Sequence, residues 1–372
     1  MGNTFVTLKE IARQALPRLI DNLVMPNLIH RDFSETYKEL GDTIQIRKPV
    51  VYAAKDFNEA TGIEYQDMNE STVDVKLDRI ADVSAKASAI ETAVNIDDLN
   101  RIFVEPAAVA LAEKINAEGL ELYRDVFNAV GTAGTTPSTL ADIAAVRKAM
   151  NVAKVPNAGR IAIWDPEADG KFMTIDAIVN AEKSASTKAL REGEIGRIFG
   201  FNNYMSQAVQ RHESGLTAST AVKLSAAASA GATTIGITGT SLEGKLKKGD
   251  ILTILGDTYV VTEDSAAAAS NAIAGVKIYP ALKKSGTTST NVTIAGSHTA
   301  NLAFNPMAFA YVTRPLVNPK GEGVDCYVTS YNGISLRVTK GYDQQYKRSI
   351  YSMDVLYGFK TIYPELAVRV LG

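Results

Sequence analysis

Hydrophobic positions along the chain begin at helical spacing and then switch to alternation. Ile11, Ala15, Leu19 and Leu23 follow the capping-box signature Thr7-Leu-Lys-Glu10, and Pro17 interrupts them. A proline inside a helical pattern removes a ladder hydrogen bond and crowds the preceding turn, so two short helices or one kinked helix are predicted. So small a segment has little core of its own and is expected to pack on another surface, a neighbouring copy included. Alternation follows. Thr43-Ile-Gln-Ile-Arg-Lys puts Ile44 and Ile46 on one face, and Val73-Asp-Val-Lys-Leu-Asp does the same for Val75 and Leu77. Between them a polar stretch carries Asp56, Glu59, Glu64, Asp67 and Glu70. The pair predicts a long two-stranded hairpin with an acidic tip, while periodicity alone fits a loop folded back on its own domain equally well. A two-stranded ribbon is marginal in water and needs a partner surface.

The longest helix is predicted from Pro106 to Val130, opened by a proline at its first position and closed by Gly131. Leu111, Ile115, Leu122 and Val126 form its apolar stripe, and at 1.5 Å per residue it would span roughly 37 Å. Gly119 inside it costs about 1 kcal/mol relative to alanine and suggests a bend or a close approach. After Thr136-Pro-Ser138, Leu140, Ile143, Val146 and Met150 predict a second amphipathic helix. Arg160-Ile-Ala-Ile-Trp164 reads as a buried strand, and Asp165-Pro166 as the cap and first turn of another helix. Together with the strand-like run Phe201 to Val209, these make a compact α/β unit.

Residues 213–300 are rich in Ala, Ser, Thr and Gly, with β-like runs at Thr234-Ile-Gly-Ile-Thr, Ile251-Leu-Thr-Ile-Leu, Thr258-Tyr-Val-Val-Thr and Val276-Lys-Ile-Tyr. Lys248-Gly249-Asp250 and Leu255-Gly256-Asp257 are turn signals at sandwich- or barrel-like intervals. The run Ala266 to Ala269 fits a loop or one helical turn. From Leu302 the earlier style resumes, so an all-β domain inserted into an α/β host is predicted. Aromatic, alternating runs at Ala308-Phe-Ala-Tyr-Val, Val324-Asp-Cys-Tyr-Val-Thr, Ile334-Ser-Leu-Arg-Val and Ser349 to Val370 complete the chain as strands.

The 372 residues exceed what one core usually serves, so two or more domains are expected. A net charge of −2 argues against a dedicated nucleic-acid surface. One cysteine, Cys326, excludes an internal disulfide framework and fits a reducing compartment; within its strand pattern it reads as a small buried hydrophobe. His30, His212 and His298 are far apart in sequence without metal-ligand spacing, and their placement reads as chance. No apolar run approaches a membrane span, and no basic-then-apolar leader opens the chain, so neither membrane nor export is expected. No nucleophile elbow, zinc motif or calcium loop is present, and no catalytic, cofactor or metal residue is predicted.

Gly193, Gly196 and Gly200 punctuate Leu190-Arg-Glu-Gly-Glu-Ile-Gly-Arg-Ile-Phe-Gly-Phe. Phosphate loops need G-x-G-x-x-G between strand and helix, or a closing Gly-Lys-Ser/Thr, and neither occurs. The glycines read as a structural turn of positive φ that lets a strand pack closely.

That glycine segment, followed by a short strand to Ser206, resembles the apical segment of tailed-phage major capsid proteins with the HK97-like fold. Further motifs in the same order resemble the coat proteins of phage P22-type viruses: Ile11-Ala-Arg-Gln-Ala-Leu, Asn22-Leu-Val-Met-Pro-Asn-Leu, Gly41-Asp-Thr-Ile-Gln-Ile-Arg-Lys-Pro49, Leu246-Lys-Lys-Gly-Asp-Ile-Leu-Thr-Ile-Leu-Gly256 and Leu302-Ala-Phe-Asn-Pro-Met-Ala-Phe-Ala-Tyr-Val-Thr-Arg-Pro-Leu316. The resemblance implies an α+β fold with an N-terminal arm (1–35), an E-loop hairpin (36–85) and a P-domain with its spine helix (86–135, completed by about 346–372). It also implies an A-domain (136–210, completed by about 302–345) and an inserted β-barrel I-domain (213–300). It implies a non-enzymatic subunit that assembles in the host bacterial cytoplasm into hexamers and pentamers of an icosahedral procapsid. A scaffolding protein and a portal would be partners, and packaged DNA would touch the shell weakly and non-specifically in the virion. No scaffold-like region precedes the arm, so a separate scaffolding protein is expected, and no cross-linking Lys-Asn pair can be placed. The hairpin-tip carboxylates are candidate inter-subunit contacts. So are Lys245, Lys247, Lys248, Asp250, Asp257, Glu263 and Asp264 of the insertion. Two alternatives stand beside this reading: a nanocompartment shell of the same fold, and a nucleotide-binding α/β enzyme.

Overall fold

The computed structural model describes residues 8–31, 43–48, 71–88, 103–180, 188–317, 325–331, 334–346 and 348–372. They fall into two compact units, and the chain passes between them repeatedly.

The first unit draws on the segments up to Ile20, Arg31–Leu111 and Ala310–Ile362. Its main sheet is built around the long strand Arg348–Thr361, which pairs antiparallel with Ile334–Asp343 and with Arg79–Ser88; Asp325–Tyr331 and Phe309–Arg314 complete it. Met353, Val355 and Tyr357 are buried on one face of that strand, and Tyr311 packs near Tyr357 and Phe359. Thr43–Lys48 and Ser71–Lys76 form the expected two-stranded hairpin, with Ile44 opposite Val75 and Ile46 opposite Val73. Its acidic tip, with Asp56, Glu59, Glu64, Asp67 and Glu70, lies outside the described residues. The N-terminal helix Leu8–Asn22 runs on through Pro17 without dividing. Ala12, Ala15, Leu16 and Leu19 are buried within this chain, so the segment finds cover without a neighbouring copy.

The second unit comprises Asp21–His30, Ala112–Phe309 and Tyr363–Gly372. Its host sheet runs in the order Ala129–Gly131, Ala367–Leu371, His298–Phe304, Arg160–Trp164, Phe201–Met205, Arg197–Ile198. Arg160–Trp164 is buried along its whole length and runs parallel to Phe201–Met205. Helices Leu140–Val152 and Pro166–Phe172 cover it through Ile143, Val146, Met150, Ala168 and Phe172. Thr139 and Asp142 close a capping box that the sequence reading missed, and the Asp165 carboxylate, as expected, accepts from the amides of Glu167 and Ala168.

The insertion is a six-stranded antiparallel sheet in the order Val292–Ile294, Ile251–Ile254, Asp257–Val261, Ala272–Tyr279, Thr234–Gly244, Leu216–Leu224. Its two outer strands meet at a Lys223–Asn291 bridge, which closes the sheet into a barrel. Closure removes the free edges that an open sheet would expose. Leu224, Ile237, Leu252, Ile254, Tyr259 and Val261 fill the interior. Leu255-Gly256 joins two strands as a two-residue turn, both residues at positive φ, where Ile254 pairs with Asp257. Residues 266–269 form a loop, with no helical turn.

Three expectations need correction. The helix from Pro106 stops at Leu120, gives way to a 3₁₀ turn over Glu121–Asp125, and is extended by Val126. The strand after Gly200 ends at Met205, short of Val209. Finally, the C-terminal segments sort differently from the 302–345 and 346–372 division. Residues 310–362 belong to the first unit because Arg348–Thr361 pairs with Arg79–Ser88. Ala367–Leu371 returns to the second unit because it pairs with His298–Phe304. The 3₁₀ turn Pro364–Leu366 breaks what reads as one continuous β run.

Candidate functional site

Gly193, Gly196 and Gly200 have φ of 67°, 71° and 86°. Arg197–Ile198 and Phe201–Met205 pair through Ile198 and Phe201, leaving Phe199-Gly200 as a two-residue turn with both φ positive. That is the mirror-image turn whose twist suits a hairpin. A Cβ added at any of the three glycines would meet nothing within 4 Å, so backbone conformation, and not the expected close packing, requires glycine here. Phe199, Tyr204 and Met205 are exposed around the turn. Asn203 ties the hairpin to the core: its side-chain oxygen accepts from Trp164 Nε1 at 2.9 Å and its amide donates to the Gly196 carbonyl.

The charged residues of the insertion make short contacts within the chain. Lys245 pairs with Asp264 at 2.7 Å, Lys277 with Glu263 at 2.7 Å, and Lys283 and Lys284 both reach Asp257. Lys248 reaches Asp125 of the host, and Lys247 donates from its Nζ to the Glu213 carbonyl. Hydrogen bonds from Lys284 and Lys283 hold Asp257 below the usual carboxylate range, and Lys245 with the Lys248 amide does the same for Asp264. Asp250 stands apart from this exposed set. It is wholly buried and its carboxylate is fully engaged inside the chain, so it is not among the residues available to a neighbour.

Asp250 belongs to a polar cluster where the insertion joins its host. The incoming strand Arg211–His212 lies beside the start of the outgoing strand, with His212 directly opposite His298. Their rings sit 5.3 Å apart. His212 Nε2 donates to Asp250 Oδ1 at 2.8 Å, and Asp250 Oδ2 accepts from the amides of Lys247 and Gly215. Tyr123 of the 3₁₀ turn places its hydroxyl 3.1 Å from His212 Nδ1. Arg369, fully buried, donates to the carbonyls of Gly249 and Val126 and lies over the Tyr123 ring. Burial lowers its guanidinium to about 10, which leaves it cationic at neutral pH.

Gly249 has to be glycine here, since its φ is +98° and an added Cβ would lie 3.0–3.2 Å from Arg124. An apolar patch flanks the cluster. Ile251 and Val260 point away from the barrel interior and pack with Phe127, whose ring meets Tyr279 edge-on at 5.6 Å. The Tyr279 hydroxyl donates to the Glu365 carboxylate, and burial raises that phenol well above its usual range.

Hydroxyl, imidazole and carboxylate line up in Tyr123, His212 and Asp250 as in a charge-relay chain. Their exposures of 2%, 3% and 0% leave no approach for a substrate, so the arrangement serves packing and charge balance. Among the described residues no group of three or more His, Cys, Asp or Glu is arranged to hold a metal ion, and no helix is long and apolar enough to cross a membrane. Cys326 is half-buried, with its thiol pushed up by burial. The reading of the three histidines as unrelated is corrected by the His212–His298 pairing. Sequence spacing could not reveal it, because the two residues bracket the whole insertion.

No protein-family model and no curated protein matches the chain. Solved structures do. One from Mycobacterium phage Che8 superposes with a TM-score of 0.54 at 16% identity, over 94% of this chain and 90% of that one. The chain shares that fold. It is the α+β, HK97-like architecture that the sequence motifs imply, now seen over nearly the full length. A structure from Gordonia phage Cozz (11% identity, 93% and 85% covered, TM-score 0.49) and the capsid of Ralstonia phage GP4 (10%, 93% and 87%, 0.47) are also similar, at scores too low to add weight.

Proposed function

We propose that this chain is the major capsid protein of a tailed phage, a structural subunit that builds the icosahedral head around double-stranded DNA. The observation that carries the reading is the phage fold matched over 94% of the chain, taken with the P22-type motifs occurring in matching order. A shell subunit must bury surface against several copies of itself, which suits a two-stranded hairpin and an exposed aromatic turn. A net charge of −2 suits an inner wall that touches DNA without gripping it.

In this reading the Thr43–Lys76 hairpin reaches a neighbouring subunit, with Asp56, Glu59, Glu64, Asp67 and Glu70 as contacts. The Phe199-Gly200 turn faces other copies around a capsomer centre. Lys245, Lys247, Lys248, Asp257, Glu263 and Asp264 are candidate contacts across subunits. Exposed pairs contribute at most about 1 kcal/mol each, so exchanging an internal partner for one on a neighbour costs little. A separate scaffolding protein and a portal complete the assembly, in the bacterial cytoplasm.

Sedimentation velocity tests the reading. The full-length chain, co-expressed with a cognate scaffolding protein, is expected in a single fast-sedimenting species of shell size. A chain that sediments only as a monomer at high concentration overturns it.

A further inference from the structure

The polar cluster at the neck of the insertion is built so that its charge balance depends on one imidazole remaining neutral. His298 Nδ1 lies 2.7 Å from the Gly296 carbonyl, which can only accept, so the ring's proton sits on Nδ1. Its Nε2 then turns a lone pair toward Arg369 Nη1 at 3.4 Å. We propose that His298, Arg369, Asp250 and His212 form an acid-sensitive latch that holds the inserted barrel on its host sheet.

The groups facing His298 come from four elements: Arg369 from Ala367–Leu371, His212 from the incoming strand, Asp250 from the turn before Ile251–Ile254, and Tyr123 beyond Arg369 from the 3₁₀ turn. With His298 neutral, its Nε2 accepts beside the Arg369 guanidinium. A proton added to His298 lands on Nε2, the atom that faces the guanidinium. The acceptor becomes a donor, and two cations then meet in a buried site with one carboxylate between them. That carboxylate already accepts from His212 and two amides, so it has little left to offer. His212 is placed differently. Its Nε2–H donates to Asp250, and its Nδ1 faces the Tyr123 hydroxyl.

The sign follows from where the proton is bound. Burial, with Arg369 and His212, depresses folded His298 to about 4 from an ordinary 6.5. The released state therefore binds the proton more readily. The latch is at full strength above pH 6.5, weakens as pH falls from 6.5 to 4, and changes no further below that. The part that opens is the contact between barrel and host, where Arg369 holds the Gly249 carbonyl and Phe127 packs on Ile251 and Val260. The barrel's own core is aliphatic, apart from Tyr259, and has no such dependence.

Hydrogen–deuterium exchange on the unassembled full-length chain tests this. After correction for intrinsic rates, the amides of Gly215 and Lys247, which donate to Asp250, are expected to exchange roughly 30-fold faster at pH 5 than at pH 7.5, the ratio set by values of 6.5 and about 4. Amides inside the barrel, such as Ile278, should not change. The non-titrating variants His298→Asn and His298→Gln should lose most of that dependence, while His30→Asn should keep it. Should both His298 variants fail to fold, the wild-type imidazole decides: its carbon-bound proton shift should stay that of a neutral ring down to pH 5. Titration of His298 near 6.5 in the folded chain, or equal exchange at the two pH values, overturns the latch.

Discussion

At the scale of single residues, glycines with the same name answer different demands. Gly200 is needed for a positive φ in open space, whereas Gly358 sits where an added Cβ would lie 2.1 Å from the Lys76 carbonyl. Gly200→Ala is therefore expected to cost about 1 kcal/mol through the backbone alone, and Gly358→Ala about 3 kcal/mol or more through overpacking. Urea midpoints compare the two directly. Two aspartates divide in the same manner. Asp250→Asn weakens a buried acceptor of the His212 Nε2–H and the amides of Lys247 and Gly215 and should cost about 2–3 kcal/mol. Asp264→Asn breaks an exposed pair with Lys245 and should cost under about 1 kcal/mol. The glycine turn was legible because positive φ leaves a residue-type signature. The His212–His298 pair, the burial of Asp250 and the role of Arg369 were not, because their meaning comes from partners tens to hundreds of positions away.

At the scale of elements, local signals served well wherever the element could be specified locally. Leu140–Val152, Arg160–Trp164 and Pro166–Phe172 follow from an apolar stripe, a buried run and an Asp-Pro cap. The barrel strand Ile251–Ile254 is apolar but for Thr253 because Leu252 and Ile254 point inward and Ile251 packs toward the host. The long helix failed for a tertiary reason. Beyond Leu120 the chain tightens so that Tyr123 meets His212 and the Val126 carbonyl meets Arg369, contacts that override an adequate helical pattern. Phe127 sits just past that break, in the apolar patch that joins barrel to host. Phe127→Ala is expected to lower stability by about 3 kcal/mol. Its effect should concentrate in exchange of the neck amides, leaving those of the barrel interior unmoved.

At the scale of the whole molecule, the order of motifs carried the fold class, and the inserted barrel was visible as a shift in composition. Which C-terminal strand joins which unit was not, since alternation marks a strand without naming its partner. The run from Ser349 to Val370 had to be cut at Pro364 and its halves sent to different sheets, a decision made by pairing with Arg79–Ser88 and His298–Phe304. In the proposed shell, the exposed aromatic turn, the two-stranded hairpin and the surface charges of the barrel make the contacts between copies. The central claim is that such contacts build a shell. Cryo-electron microscopy of particles from cells expressing the full chain with its scaffolding partner tests it most directly. Closed icosahedral particles are expected, with this fold fitting every position of both pentamers and hexamers. Dispersed subunits, or open aggregates without symmetry, would contradict it.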